Sequence, residues 1–278
     1  TGLLILGVVL IIIQADARTG LGQQSDCDVR LGSGQSVQTA IDDADEGSMI
    51  CLEAGEFFDN ILTSKALTLR GAGLDEDGNW LTVIKSAEPG TAVFVVSNAG
   101  RTFDVALEDL EMTGAERFSD DQLCASEDQQ TVCPDGVVIN GHINATLHNV
   151  RISGNADDGL NLLGGSATVE NSVIESSGDL GIFQLGFTEY GAANLILSDS
   201  QVRDNGADGS IIIGPGKLEL VGSTFSGNGD DGIGLIGSFS QEITISQNEV
   251  FKNAGEGIYL EGADVEYVIE PNNIRQNG

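Results

Sequence analysis

The sequence predicts an all-β solenoid: a parallel β-helix with three short strands per coil and about 24 residues per coil. Three observations carry that expectation. The pattern Asn-x-x-x-Gly recurs at Asn155/Gly159, Asn205/Gly209, Asn228/Gly232 and Asn253/Gly257, with Ser177/Gly181 filling the missing step and Asn277 opening another. Apolar residues fall in matching columns, such as Leu107, Leu147, Val169, Leu197, Leu220, Ile245, Ile269 and Met112, Ile152, Ile174, Val202, Phe225, Val250, Ile274. Two more columns follow the repeat glycine: Val137, Leu160, Ile182, Ser210, Ile233, Ile258 and, two positions on, Ile139, Leu162, Gln184, Ile212, Leu235, Leu260. Within each segment apolar and polar residues alternate, as in "KLELVG" and "QEITIS", and period two means strands with one face inward. Helical repeats would need a 3.6-residue stripe, which these short glycine-rich segments lack.

Taken in chain order, residues 1–17 ("TGLLILGVVLIIIQADA") read as a truncated secretory signal peptide. The apolar run Leu3–Ile13 is shorter than the ~20 residues a membrane span needs, and Ala15-Asp16-Ala17 resembles a cleavage site. A retained N-terminal anchor is the alternative. Residues 18–32 are expected to be a linker leading to a first strand, and residues 33–278 the β-helix. The chain stops at "NNIRQNG", midway through a coil, so the solenoid is expected to continue beyond it. Export lets the four cysteines pair. Proximity favours Cys27–Cys51 and Cys124–Cys133, although four cysteines allow three connectivities.

The stretch "SGQSVQTAIDDADEGSMICLEAGEFFDNILTSKALTLRGAG" (Ser33 to Gly73) looks like the opening of secreted right-handed parallel β-helix proteins of the pectin-lyase-like superfamily. Val37, Ala40, Ile41 and Ala44 share one helical face there, with Ser36 as N-cap. The resemblance implies a short N-terminal helix that caps the first coil, and it runs from about Cys27 to the C-terminus.

Charge narrows the partners. Twelve Lys and Arg face 43 Asp and Glu, a net charge of −31. Such a field repels nucleic acid and anionic membranes, and acidic polysaccharides unless cations bridge the two. The mature chain is not expected to insert in a membrane.

The acids follow the repeat. Just before its glycine stand Asp135, Asp158, Leu180, Asp208, Asp231 and Glu256, and one position earlier Pro134, Asp157, Asp179, Ala207, Asp230 and Gly255. Coils one strand spacing apart, about 4.8 Å, stack these into a stripe. Turn chemistry accounts for them first: Asp and Asn bond the backbone in tight turns, Gly supplies positive φ, and the stacked asparagines make an inward amide ladder. Calcium is a second reading, with Asp208, Asp230, Asp231 and Glu256 as the expected ligands. Glycoside hydrolysis is a third, with Asp157, Asp158, Asp230 and Asp231 as candidate catalytic acids on adjacent coils.

Polygalacturonase-type hydrolases of the superfamily use clustered aspartates, and "NADDG" (Asn155 to Gly159) is similar to their Asn-Thr-Asp motif. Their other motifs survive only as "GHI" at Gly141 and "RIS" at Arg151, in the wrong chain order. Polyuronate lyases need a strong base, and Arg151, Arg203, Lys217, Lys252 and Arg275 are spread over different columns. His142 and His148 are expected to sit exposed on a strand.

Two places break the compact repeat. Ala115 to Val132 inserts an acidic loop, and Phe183 to Asn194 lengthens one coil, with Phe187 and Tyr190 as candidate sugar-stacking residues. Trp80 is expected to pack rather than serve as a platform, and Asn144-Ala145-Thr146 is a glycosylation sequon wherever such sites are modified. The sequence thus points to a secreted or cell-surface module that binds a glycan, without a recognisable catalytic site. The alternatives are a carbohydrate-active hydrolase or lyase and a purely structural adhesion solenoid.

Overall fold

A computed structural model describes residues 27–278 apart from 120–121, 128–129, 187–190, 238–242 and 263–266. The expected signal peptide and most of the linker therefore lie outside the described residues. Each coil gives one strand to each of three faces, and each strand pairs in parallel with its counterpart one coil on. The first face carries Ile61–Thr63, Leu160–Leu163, Ile182–Leu185, Ser210–Ile213 and their equivalents. Leu67–Arg70, Gly165–Glu170 and Ala193–Ser198 belong to the second face, and Thr82–Lys85, Val173–Glu175 and Gln201–Arg203 to the third. Two long strands, Phe94–Thr113 and Val137–Ser153, run through all three faces without a break. The second face begins at Val29–Leu31, which pairs with Ser48–Leu52.

The four apolar columns stack in the register that the sequence gives. Leu147 pairs with Leu107 and Val169, Ile152 with Met112 and Ile174, Leu160 with Val137 and Ile182, and Leu162 with Ile139 and Gln184. Nearly all of these side chains are fully buried, each adding roughly 1.5–3 kcal/mol on transfer from water. Repetition builds one continuous core along the axis.

Sharp corners join the faces. Asn149, Asn171 and Asp199 adopt φ of 51°, 51° and 48° at the corner after the second face. At the next corner Ser176, Asp204 and Lys252 take φ of 57°, 56° and 59°. Polar residues that follow the left-handed ones turn inward, and at each corner a series of them forms a ladder. At the second corner, Asn205 N–H and Nδ2 donate to Asn228 Oδ1 (3.2 and 3.0 Å), and Asn228 repeats this onto Asn253 (3.1 and 2.9 Å). The first corner has its own ladder, Ser172–Ser200–Ser223–Asn248–Asn272, in which each side-chain oxygen accepts the backbone N–H of the coil before. Alignment on the glycine motif had revealed the asparagines and missed this second series.

One expectation about glycine needs correcting. The repeat glycines do not supply positive φ; those in the left-handed region lie elsewhere. Close packing is what requires them: a Cβ on Gly209 would sit 2.4 Å from the Gly232 carbonyl, and one on Gly159 2.6 Å from that of Gly181.

The helix Val37–Asp43 covers the N-terminal end, burying Val37 and Ile41. Ser36 caps it by accepting the Thr39 N–H at 3.1 Å. Gln38 completes the exposed edge of Ile61–Thr63: its side-chain amide accepts the Leu62 N–H at 2.7 Å and donates to the Leu62 carbonyl at 3.1 Å. That occupies groups that would otherwise template another strand. The disulfides are Cys27–Cys51 and Cys124–Cys133, the pairing that proximity favoured.

Candidate functional site

The outward residues of the first face form a track along the helix axis. Leu62, Val95, Val138, Asn161 and Phe183 stack in register on five successive coils. With Asn60, Ser97, Asn140 and Leu163 they floor a concavity of about 1050 Å³, whose rim includes Gln38 and Asp42 of the capping helix. On the other side stand Cys133, which closes the 115–132 insertion, and Asp135. That insertion folds back as the hairpin Ala125–Glu127 and Gln130–Val132.

Asp135 is the first rung of a carboxylate ladder. Its Oδ1 accepts the Asp158 N–H at 3.1 Å, and Asp158 Oδ1 accepts the Leu180 N–H at 3.1 Å. Leu180 offers no carboxylate, so the series stops and resumes one coil later. Asp231 N–H donates to Asp208 Oδ1 (3.0 Å), and Glu256 N–H to Asp231 Oδ1 (2.7 Å). The predicted stripe therefore exists, in two segments, and only the first reaches the groove.

The electrostatics of the two segments differ. Burial pushes the Asp135 carboxyl up to about 7; the Asp157 charge adds to this, while hydrogen bonds with the Asp158 N–H and Asn161 oppose it. For Asp158, burial and then the charges of Asp135 and Asp157 raise it to about 8. Asp157 is raised by burial and Asp179, with Arg117 pulling it back. In the second segment Asp231 is raised to about 6, by burial and then by its hydrogen bond with the Glu256 carboxyl, and Asp208 is raised mainly by burial.

Asp157, Asp158 and Asp179 bring carboxylate oxygens within 4.8 Å of one another. The set expected for calcium, Asp208, Asp230, Asp231 and Glu256, forms no comparable group among the described residues. The candidate catalytic acids divide in the same way: Asp157 and Asp158 lie next to Asp135, whereas Asp230 and Asp231 belong to the distant segment. Sequence reading aligned Asp135 with the stripe but did not single it out. The signal lay in its place beside Cys133, where the insertion returns to the solenoid.

Phe187 and Tyr190 lie outside the described residues. His142 and His148 are exposed on their strand, as alternation predicted. Trp80 lines a smaller concavity of about 420 Å³ on the third face. There the basic residues are less spread than the columns suggested. Arg151 contacts both Glu111 (3.1 Å) and Glu175 (Nε–Oε1 2.7 Å), and Arg203 grips the same Glu175. Arg151 is one coil from Glu175 in the ladder and Arg203 another coil on, so two guanidiniums converge on one buried carboxylate. Both are engaged by carboxylates rather than free to act as bases.

Residues 135–278 match the family described as the right handed beta helix region. The chain belongs to that family. Among solved structures, the A-module of the Azotobacter vinelandii mannuronan C-5 epimerase AlgE4 superposes with a TM-score of 0.58 at 18% identity, covering 90% of this chain and 78% of that one. The pectin methylesterase of Aspergillus niger gives 0.54 at 14% identity over 91% of each chain. The alginate lyase AlyGC of family PL6 gives 0.55 at 12% identity, over 91% of this chain and 41% of that one. Identities this low carry the fold and no residue roles. No curated protein sequence matches the chain. The architecture is thus a right-handed β-helix, shared with enzymes that act on polysaccharides.

Proposed function

We propose that this protein recognises an extended polysaccharide chain, seated along the first face of the β-helix next to Asp135. The concavity of about 1050 Å³ carries the reading. Its floor repeats an outward side chain on five successive coils. Four steps of ~4.8 Å make a track of about 19 Å, which suits several linked sugar rings better than a compact metabolite. Apolar side chains offer surface to the C–H faces of sugars, and the amide of Asn140 and the hydroxyl of Ser97 offer groups for hydroxyls. The fold's occurrence in mannuronan-, pectin- and alginate-directed enzymes supports a polysaccharide partner. Two disulfides support an oxidising, extracellular setting. Affinity electrophoresis against a polysaccharide panel is the test. Retardation of the wild type that is lost in Phe183→Ala supports the groove; equal mobility of both proteins in every gel ends the reading.

A hydrolytic reading has one observation of its own. Asp135, on the groove wall, holds its proton to about pH 7, close to Asp157 and Asp158. A protonated carboxyl beside other carboxyls is what acid-assisted glycosidic cleavage needs. New reducing ends that disappear in Asp135→Asn would establish it; cleavage unchanged in that variant would exclude Asp135 as the acid.

A further inference from the structure

We infer that the groove takes a neutral glycan, a chain of hydroxyl-bearing sugars without carboxylates. The inference rests on the groove reading above and specifies its ligand class. The charge of the lining is its basis. Two acidic side chains, Asp42 and Asp135, border the groove, and no Lys or Arg is among its lining residues. Nearby cations are committed elsewhere. Lys65 Nζ donates to the carbonyls of Asp42 (3.1 Å) and Ala44 (2.7 Å), closing the end of the capping helix. Arg101 pairs with Glu46. Arg117 lines a separate concavity with Ser119 and Gly154, on the Asp157 side.

Residues 120–121, 128–129, 187–190, 238–242 and 263–266 contain no Lys or Arg. A polyuronate laid on this floor would set its carboxylates against Asp42, and against Asp135 above about pH 7, with no guanidinium or ammonium among the lining residues to answer them, inside a protein of net charge −31. A neutral chain meets no such repulsion. Its ring faces would lie on Leu62, Val138 and Phe183, and its hydroxyls would meet Ser97 and the Asn140 amide. Specificity here arises from rejection of the charged competitor as much as from attraction.

The experiment is equilibrium binding of the full chain to matched soluble polymers. Neutral β-glucan, mannan, galactan and dextran stand on one side, and polygalacturonate and alginate on the other. Each is measured in EDTA and again in millimolar calcium, alongside Phe183→Ala and Val138→Asp, with circular dichroism as the check on folding. Both substitutions are on outward side chains, so the core is untouched. The expected result is binding to at least one neutral polymer, ~10-fold or more tighter than to either uronate, insensitive to EDTA and lost in both variants. Uronate binding that exceeds neutral binding, yet is still lost in the variants, overturns the neutral class and leaves the groove in place. Binding to no polymer, or binding that both variants retain, overturns the groove and the inference together.

Discussion

The asparagine ladder and the aspartate ladder occupy the same turn of the same coils, and the contrast between them is informative. Both use a side-chain oxygen to accept a backbone N–H from the neighbouring coil, at 3.1–3.2 Å between asparagines and 2.7–3.1 Å at the carboxyls. They point opposite ways: asparagine oxygens serve the coil before, carboxylates the coil after. An amide carries a donor as well as an acceptor, so Asn205, Asn228 and Asn253 also donate Nδ2 to the next and the stack supports itself. A carboxylate only accepts; burial first, and then neighbouring charges, disfavour its ionised form, so Asp135 and Asp158 stay protonated to about pH 7 and 8. Asparagine in those positions would keep an acceptor without the repulsion. Acids that cost stability where amides would serve are the residues to suspect of function.

Both ladders break in the same coil. Ser177 stands where an asparagine belongs, leaving Asn155 Nδ2 and Ser177 Oγ buried without partners among the described residues, and Leu180 interrupts the acids. Gln184, buried in an apolar column, and Phe183, on the groove floor, belong to this coil as well.

The largest effect should come from breaking the amide ladder. Asn228→Ala removes the acceptor of two hydrogen bonds and the donor of two more in a fully buried site. A loss of roughly 3 kcal/mol in denaturant unfolding is expected; a loss under about 0.5 kcal/mol would mean the ladder is ornamental to stability.

The acid ladder should respond to pH instead. A carboxyl whose folded pKa exceeds its unfolded value of about 3.9 contributes stability while protonated. That contribution is complete below the unfolded pKa and is lost as pH rises through the folded one. Asp231, Asp135 and Asp158 pass theirs at about 6, 7 and 8, so the melting temperature should fall between pH 5 and 9. Asp158→Asn keeps an oxygen for the Leu180 N–H and removes one titration. It should gain about 2 kcal/mol at pH 9 and little at pH 5; an equal effect at both pH values would contradict the assignment.

Repairing the broken coil is a smaller change. Ser177→Asn gives Asn155 Nδ2 an acceptor and should stabilise by about 1 kcal/mol, read as a higher melting temperature. The surface pair Lys85–Glu56 marks the low end: both side chains are well exposed, and Lys85→Ala should change stability by less than about 0.5 kcal/mol.

The solenoid was legible because repetition writes each inward column several times, so Leu147 and Val169 reveal Leu197 and Leu220 before any coordinates exist. The capping helix was legible from Ser36 and the Val37/Ile41 face. Less readable was everything that depends on which columns meet something outside the repeat. Asp135 looks like Asp231 in sequence, yet only Asp135 faces the insertion and the groove. Asp208, Asp230, Asp231 and Glu256 are the more numerous set on the stripe, but Asp157, Asp158 and Asp179 are the ones that converge in space. Arg151 and Arg203 occupy different columns and still meet at Glu175, because long side chains reach diagonally between coils. Nor does a glycine at a fixed position say whether it supplies φ or clearance.

The most direct measurement is a site-specific titration of the aspartate carboxyl carbons by NMR, assigned with Asp135→Asn and Asp158→Asn. Two resonances should titrate with midpoints between about pH 6.5 and 8.5, each absent from its own variant. Addition of a bound polysaccharide should move the Asp135 midpoint more than that of Asp231. If every aspartate titrated below pH 5, the groove would hold no proton-bearing acid, and the distinction between the two ladders would fall.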